Sequence, residues 1–361
     1  MNTARQGVLP SQTIRKMLSD GHITASQPVP KGQIQPASLD LRLGNVAYRV
    51  RASFLPGAGN TVIERLADFE MHQMDLSDGA VLEKGCVYVV PLMEGLKLPP
   101  NINAVANAKS STGRLDLFTR LITDNGTEFD RVEAGYSGPL YAEISPRSFS
   151  VLLRPGMRLN QIRFRQGQVV LSDDELRAMD AKHALVDGEA HIDQGLGFSV
   201  DLTPRKGGIV GYRAKPHTGL IDLDKIAYYP QAEFWEPVFA PEGRIILDPG
   251  AFYILVSREA VHVPPDCAAE MAPYLAMVGE FRVHYAGFFD PGFGHEAAGG
   301  KGSRGVLEVR CHEAPFALEQ GQTVGRLVYE KMTEVPDILY GKDMGSNYQG
   351  QGLKLSKHFK D

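Results

Sequence analysis

The sequence lacks the features that mark secreted, membrane-spanning or zinc-binding proteins. Its three cysteines, Cys86, Cys267 and Cys311, form no CxxC pair, so neither a disulfide framework nor a four-cysteine zinc site is indicated. No apolar run reaches the roughly 18 residues needed to span a bilayer, and residues 1–12 lack the apolar core of a signal peptide. We therefore expect a cytoplasmic protein without a membrane partner.

The chain also lacks an excess of positive charge. Lys and Arg total 38 against 43 Asp and Glu, which gives a formal net charge of −5. A protein that binds long nucleic acid usually carries a basic surface, so this class of partner is not expected. A small anionic ligand remains compatible, because it needs only a local cluster of donors.

The main organising feature of the sequence is an internal repeat. Tyr88 and Tyr253 lie in similar segments 165 positions apart, and the Pro-Pro pairs that follow them have the same spacing. A length of 361 residues suits two domains or one large one. Duplication predicts a boundary near 168–171, with a first unit over residues 1–168 and a second over 169–361.

Each copy opens with a predicted helix that is followed by β structure. The first helix lies within residues 9–21, with Ser11 as N-cap. The second lies within 171–185, where Ser172 caps the helix and Glu175 completes a capping box. Beyond the helices, short β-branched and aromatic segments alternate with Gly, Pro or Asp, and long helical periodicity is absent. We therefore predict a mainly β fold of two similar jelly-roll or β-barrel units, each preceded by a short helix.

A cluster of cations and hydroxyls follows the strand-like segment 102–108. Lys109, Ser110, Ser111 and Arg114 lie within six residues. Arginine can bind phosphate oxygens bidentately, and hydroxyls can satisfy the remaining acceptors, so the segment suits a polyphosphate. A solvated serine-rich loop with the same composition is the alternative.

The second copy contains a turn that begins with a carboxylate. Asp290 precedes Pro291 and Gly292, which favour a bend in the chain. A purely structural Asx turn is the alternative to a ligand-binding turn.

A second carboxylate, Glu308, lies inside an apolar strand. Strand alternation places Val306, Glu308 and Arg310 on one face. If that face points inward, desolvation raises the pKa of Glu308 toward the range that suits a general base. A surface glutamate paired with Arg310 is the alternative, and Glu143 is the counterpart in the first copy.

Two further motifs do not indicate a metal or a phosphate loop. The segment 299–305 is glycine-rich but lacks the GxxxxGK[ST] spacing. The Cys-His-Glu run at 311–313 lacks the H-x-E and P-C-x-x-C motifs of zinc deaminases. No zinc is therefore expected.

Together these segments resemble the dCTP deaminase family of the dCTP deaminase/dUTPase superfamily, in a double-length tandem form. The resemblance implies two dUTPase-like β units. The matching segments are 35–44 for an early strand motif, 109–117 for the phosphate-binding segment, 288–294 with 305–309 for the nucleoside-binding turn and catalytic strand, and 347–352 for a C-terminal lid.

In that family a strand glutamate activates a water molecule that attacks C4 of cytosine, no metal takes part in that step, and Mg²⁺ accompanies the triphosphate. The resemblance makes Glu308 that glutamate and Ala286 the residue whose backbone carbonyl helps to hold the water. Asn347 replaces the expected lid lysine. The other implied residues are Ser110 and Arg114 as catalytic groups, and Lys109, Ser111, Asp290, Val306, Tyr340 and Gln351 as substrate-binding groups.

Neither copy carries the whole set of motifs. The first has Glu-Ala-Gly at 133–135 in place of the Asp-Pro-Gly turn, and the second has Tyr-Leu-Ala-Met-Val-Gly at 274–279 in place of the phosphate segment. Single-length relatives resemble trimers whose sites combine segments of two subunits. We therefore hypothesise one composite site, formed by Ser110 and Arg114 of the first copy and Asp290 and Glu308 of the second.

The resemblance predicts hydrolytic deamination of dCTP to dUTP and ammonia, which would supply dUTP for dTTP synthesis. A dUTP diphosphatase, or an enzyme with both activities, is one alternative. A catalytically silent nucleotide-binding regulator is another. The assembly state stays open, with a homo-oligomer among the options.

Overall fold

The structure is a computed structural model that describes residues 5–273, 281–283, 287–311, 313–341, 350 and 352–360. The helices are α1 (Ser11–Ser19), α2 (Val62–Phe69), α3 (Ser110–Gly113), α4 (Asp173–His183) and α5 (Gln231–Phe234). The strands of the first part of the chain are β1 (Gly7–Val8), β2 (Ile23–Ala25), β3 (Leu39–Arg42), β4 (Val46–Val50), β5 (Glu70–Asp75), β6 (Ala80–Leu82), β7 (Val87–Lys97), β8 (Ile102–Ala108), β9 (Leu117–Thr123), β10 (Arg131–Val132), β11 (Ser137–Pro146), β12 (Val151–Leu153) and β13 (Arg158–Gln166). Those of the second part are β14 (Leu196–Ser199), β15 (Ile209–Ala214), β16 (Ile221–Asp222), β17 (Trp235–Phe239), β18 (Arg244–Leu247), β19 (Phe252–Val261), β20 (Cys267–Pro273), β21 (Phe281–Val283), β22 (Phe288–Phe289), β23 (Ser303–Cys311), β24 (Phe316–Glu319) and β25 (Thr323–Lys331).

The chain folds into two compact units, and neither unit is continuous in sequence. Unit 1 contains Met1–Val169, Gly219–Ile226 and Met332–Asp337. Unit 2 contains Val170–Thr218, Ala227–Lys331 and Ile338–Asp361. Both units are built mainly from strands, which confirms the predicted fold class.

Unit 1 is organised around antiparallel sheets. One has the strand order β5-β4-β7-β11-β9, and another has the order β1-β13-β8-β10 with β3 also paired to β13. Along β8, every second residue from Ile102 to Ala108 is buried, which is the alternation expected of a strand with one face on the core. The core beneath this sheet includes Ile14 of α1, Leu39 of β3 and Phe164 of β13.

Unit 2 repeats the same strand orders. Its sheets run β17-β15-β19-β23-β21 and β14-β25-β20-β22, so β23 takes the place of β11, and β14 takes the place of β3. Its hydrophobic core includes Phe198, Leu255, Leu307 and Leu327. The internal repeat predicted from sequence is therefore visible in the topology.

The two copies also share an equivalent tyrosine hydrogen bond. The Tyr88 hydroxyl accepts the backbone N–H of Glu83 at 3.0 Å, and the Tyr253 hydroxyl accepts that of Asp248 at the same distance. Burial raises the pKa of both phenols. The two tyrosines thus hold equivalent turns before equivalent strands.

The two opening helices agree with prediction in position but not in every cap. Helix α4 has the predicted capping box, with Ser172 and Glu175 bonded reciprocally. The prediction of Ser11 as an N-cap is wrong, because α1 begins at Ser11 and its N-cap is Pro10. The Ser11 hydroxyl instead donates to a carboxylate oxygen of Asp337 at 2.5 Å. The Ser11 hydroxyl, predicted to cap the helix locally, is therefore bonded to a charged acceptor that is distant in sequence.

Helix α2 was not predicted from sequence. It is only two turns long, too short for its apolar periodicity to stand out, although Thr61 and Glu64 form a complete capping box. It buries Val62 and Leu66 against a separate apolar cluster of unit 1.

Candidate active site

The segment that follows β8 is held in place by its backbone. The Lys109 N–H donates to the carbonyl of Leu159 on the neighbouring strand β13 at 2.9 Å. The Lys109 carbonyl accepts the N–H groups of Thr112 and Gly113, which closes the single turn of α3. The predicted phosphate segment is therefore an ordered turn at a strand end rather than a solvated loop.

Side chains of this segment differ in exposure. Ser110 is exposed, whereas Ser111 and Arg114 are buried. Lys109 is partly exposed, and its ammonium lies 2.5 Å from a carboxylate oxygen of Asp40. Hydroxyl and cationic donors therefore stand together on one short turn, as a polyphosphate requires.

Glu308 lies in the middle of β23 in unit 2. Its strand neighbours Leu307 and Val309 belong to the core, and Glu308 is directly opposite Ile254 of β19. Only 4% of Glu308 is exposed, so the alternative of a surface glutamate does not hold. Val306, on the same face of the strand, is also buried.

The turn that contains Asp290 is closely packed. Asp290 is buried, and its carbonyl accepts the N–H of Phe293 at 3.0 Å. Gly292 has a φ of +96°. A Cβ on Gly294 would lie 2.1 Å from the carbonyl oxygen of Val261, so only glycine fits there. These restraints fix the backbone of the turn that begins with Asp290.

Tyr340 contacts the same turn. Its N–H donates to the Pro291 carbonyl at 2.9 Å, and its ring centroid lies 5.5 Å from that of Phe293. The structure therefore brings Tyr340 against the turn that begins with Asp290, within unit 2.

Some predicted residues lie outside the described part of the chain. These are Ala286, Gln351, the lid position Asn347 and the segment 274–279. The described site residues divide between the units: Lys109, Ser110, Ser111 and Arg114 belong to unit 1, and Asp290, Val306, Glu308 and Tyr340 belong to unit 2.

Glu143, the first-copy counterpart of Glu308, has a different environment. It is 2% exposed, and its Oε1 accepts two bonds from Arg120, at 3.1 Å from Nε and 2.5 Å from Nη2. The Arg120 guanidinium lies 4.8 Å from the ring centroid of Phe118 and 3.4 Å from that of Phe129. A cation that contacts two rings therefore pairs with Oε1 of this carboxylate.

Sequence reasoning missed Arg120, which faces Glu143 across the β9–β11 pair. The charged Arg120 within the apolar segment 117–123 was the available signal, but its partner depends on the strand register. Asp40 was also missed as a site residue, although it lies in an apolar strand just as Glu308 does.

No group of three or more His, Cys, Asp or Glu side chains in the described ranges is arranged to hold a metal ion. Within those same ranges, every helix is too short or too polar to cross a membrane.

Comparison with known protein families matches both halves of the chain. The model of the 2'-deoxycytidine 5'-triphosphate deaminase N-terminal domain matches residues 5–168, and that of the C-terminal domain matches residues 172–359. The fold and the paired domains define a deaminase of the mainly β, double-length type. The chain belongs to the dCTP deaminase family.

Individual relatives support this assignment. A crystal structure of 2'-deoxycytidine 5'-triphosphate deaminase from Agrobacterium tumefaciens is 57% identical with a TM-score of 0.88, and the match covers 91% of this chain and 99% of that one. A dUMP-forming dCTP deaminase from Sulfurihydrogenibium sp. (strain YO3AOP1) is 32% identical over 44% of this chain and 82% of the relative. A dCTP deaminase from Natronomonas pharaonis is 29% identical over 44% of this chain and 80% of the relative. Each of these two relatives is matched over most of its own length but over less than half of this chain. This difference is expected if the chain has twice the length of a single-copy enzyme.

Proposed function

We propose that this protein deaminates dCTP to dUTP and ammonia by hydrolysis, as a hydrolase of the C–N bond of a cyclic amidine. The observation that supports this most is the division of motifs between the copies. Unit 1 carries the ordered cation and hydroxyl turn, and unit 2 carries a buried glutamate and the Asp290 turn. Unit 1 lacks the Asp-Pro-Gly turn, and unit 2 lacks the phosphate segment. A single site that uses the phosphate segment of unit 1 and the turn and glutamate of unit 2 would account for both absences.

In the proposed reaction, Glu308 acts as general base. It takes a proton from a water molecule whose oxygen forms a bond to C4 of cytosine, and passes protons on to N3 and to the leaving nitrogen. The C4–N4 bond then breaks and ammonia leaves, which gives the uracil ring of dUTP. The family resemblance assigns the Ala286 carbonyl and the Ser110 hydroxyl to holding this water, and Arg114 to the phosphates beside it.

Substrate binding is proposed to use both units. Lys109 and Ser111 bind phosphate oxygens, Asp290 binds the sugar, and Val306 contacts the base. Tyr340 covers the nucleotide from the turn at Asp290, and Gln351 is proposed to act with it.

Magnesium is proposed to arrive with the triphosphate. The residues from Lys109 to Arg114 offer cations, hydroxyls and N–H groups, which suit phosphate oxygens rather than a metal ion. Phosphate oxygens would therefore hold the ion, which would neutralise part of the triphosphate charge. No zinc is needed in this scheme.

The proposal is tested by two matched substitutions. Glu308→Gln should lower kcat by at least about 100-fold with dCTP binding largely retained, because a general base typically contributes about 100-fold to 10,000-fold. Glu143→Gln should leave kcat within about twofold, since that carboxylate is bonded to Arg120 and its copy lacks the Asp-Pro-Gly turn. Ammonia release from dCTP and Mg²⁺, normalised to folded protein by circular dichroism, measures both. An inactive Glu143→Gln variant beside an active Glu308→Gln variant would refute the assignment.

A second candidate is an enzyme that also cleaves dUTP to dUMP. Relatives from Sulfurihydrogenibium and Dictyoglomus thermophilum are named as dUMP-forming dCTP deaminases. Pyrophosphate released together with ammonia in the same assay would support this form, and dUTP without pyrophosphate would support the deaminase alone. The absence of any product would instead indicate a nucleotide-binding regulator.

In the cell, we propose that the enzyme works in the cytoplasm and that its product feeds dTTP synthesis.

A further inference from the structure

Asp40 is a buried carboxylate for which the proposed reaction has no direct use. It lies on β3, is 1% exposed, and is directly opposite Gln161 of β13. Its backbone N–H donates to the Gln33 carbonyl at 2.9 Å, and its own carbonyl accepts the Gln33 side-chain amide at 2.8 Å. The Asp40 backbone is therefore fixed on both sides.

The Asp40 carboxylate binds the first residue of the phosphate segment. Its Oδ1 lies 2.5 Å from the Lys109 ammonium, and its Oδ2 lies 3.5 Å from the guanidinium of Arg158. The strand registers make this contact possible: β13 pairs with both β3 and β8, and β8 ends one residue before Lys109. Lys109 is thus held by its backbone through Leu159 and by its side chain through Asp40.

The second copy uses the equivalent carboxylate differently. Asp201 follows β14, the counterpart of β3, and is 6% exposed. It binds Arg205 at 2.7 Å and Arg304 at 2.8 Å, and it also accepts the N–H of Thr203. The repeat therefore preserves a buried aspartate in both units, but only Asp40 contacts a residue of the phosphate segment.

We propose that Asp40 is a positioning residue that orients Lys109 for binding to the triphosphate. An ammonium has three N–H donors, so Lys109 can keep its bond to Asp40 and still donate to phosphate oxygens. Arg158 shares the charge of Asp40, so the carboxylate does not bind the ammonium so strongly that it competes with the ligand. This inference rests on the proposed function only in taking the phosphate segment as a triphosphate site.

The consequence is a larger contribution of Lys109 to phosphate affinity. A fixed ammonium at the start of α3 contributes to affinity only when a ligand places an oxygen within its reach. Loss of Asp40 should therefore weaken binding of a triphosphate and leave the interactions of the cytosine ring unchanged.

Inorganic tripolyphosphate is the direct probe, because its binding needs no deamination. Isothermal titration of the full chain should show about tenfold weaker binding for Asp40→Asn than for the unsubstituted protein, since one charge-assisted bond loses its geometry. Asp40→Glu, which keeps the charge but displaces the carboxylate, should bind with intermediate affinity and provides a second variant if Asp40→Asn does not fold. Asp201→Asn is the matched control and should leave tripolyphosphate affinity within about twofold, because Asp201 holds other cations.

A double-mutant cycle separates positioning from general destabilisation. If Asp40 acts through Lys109, Asp40→Asn should have no further effect in a Lys109→Met background. Additive losses, an equal loss in Asp201→Asn, or unchanged affinity in Asp40→Asn would each overturn the inference. Failure of the proposed function is distinguishable, because it appears as absent ammonia release while tripolyphosphate still binds.

Discussion

At the scale of single residues, His295 is a buried histidine whose backbone N–H donates to the Gly292 carbonyl of the Asp290 turn at 3.1 Å. Its ring nitrogen Nδ1 accepts the N–H of Ala297 at 3.1 Å. Burial lowers the pKa of the His295 imidazole; Glu296 opposes the shift, and His183 and His262 add to it. Their ring centroids lie 6.1 and 6.5 Å from that of His295.

This shift predicts acid sensitivity. In the unfolded chain His295 binds a proton near pH 6.5 or so, and in the folded chain it does so at lower pH. Between these two values the unfolded state holds more protons, so the free energy of unfolding should fall as pH decreases below about 6.5. His295→Gln should flatten this dependence, and His72→Gln, an exposed histidine of unit 1, should not. Urea denaturation at a series of pH values measures the free energy of unfolding. If its pH dependence were the same in His295→Gln as in the unsubstituted protein, His295 would not be the cause of the acid sensitivity.

Buried carboxylates show what sequence could and could not predict at this scale. Glu308, Glu143 and Asp40 each interrupt an apolar strand, and for Glu308 that pattern left a buried and a surface position open, of which the structure shows the buried one. The pattern does not reveal partners, because Arg120 and Lys109 reach their carboxylates only through strand register. The special role of Asp40 was therefore not accessible from the residues alone.

At the scale of elements, the C-terminal segment is anchored rather than frayed. Within residues 352–360, Phe359 is buried and its ring lies 5.5 Å from Phe234 and 5.8 Å from Trp235. The Lys360 N–H donates to the carbonyl of Tyr229 at 2.9 Å. Residues 352–360 are thus packed into the structure of unit 2.

Removal of this anchor should release the segment. Phe359→Ala should destabilise the segment by about 3 kcal/mol, because a buried ring is replaced by a cavity. Hydrogen exchange at Lys360 should become faster, whereas Phe239→Ala, which removes an exposed ring of the same unit, should leave it unchanged. Equal exchange rates in the two variants would show that Phe359 is not the anchor.

Most elements of the fold could be predicted, because strands such as β7, β19 and β25 contain strong β-branched and aromatic patterns. Short elements could not. Helix α2 has only two turns, and β16 consists of Ile221 and Asp222 alone. Such elements are stabilised by their neighbours, since an isolated piece of this length does not hold its own conformation.

At the scale of the whole molecule, the proposed composite site would account for the distribution of motifs between the two copies. The repeat was visible in sequence because equivalent turns need the same residues, as Tyr88 and Tyr253 show. The discontinuity of the units was not visible, because β16 joins unit 1 through a parallel pair with β12 and the Arg154–Asp222 ion pair. Contacts between distant segments of this kind carry no periodic signal.

We propose that one nucleotide is bound by the phosphate segment of the first copy and the glutamate of the second. The most direct test is a crystal structure of the Glu308→Gln variant with dCTP and Mg²⁺ bound. We predict a single nucleotide whose phosphates contact Lys109 and Arg114 and whose cytosine C4 lies beside residue 308, with both sets drawn from one chain or from two chains of an assembly. A triphosphate bound away from residues 109–114, or a cytosine bound away from residue 308, would contradict it.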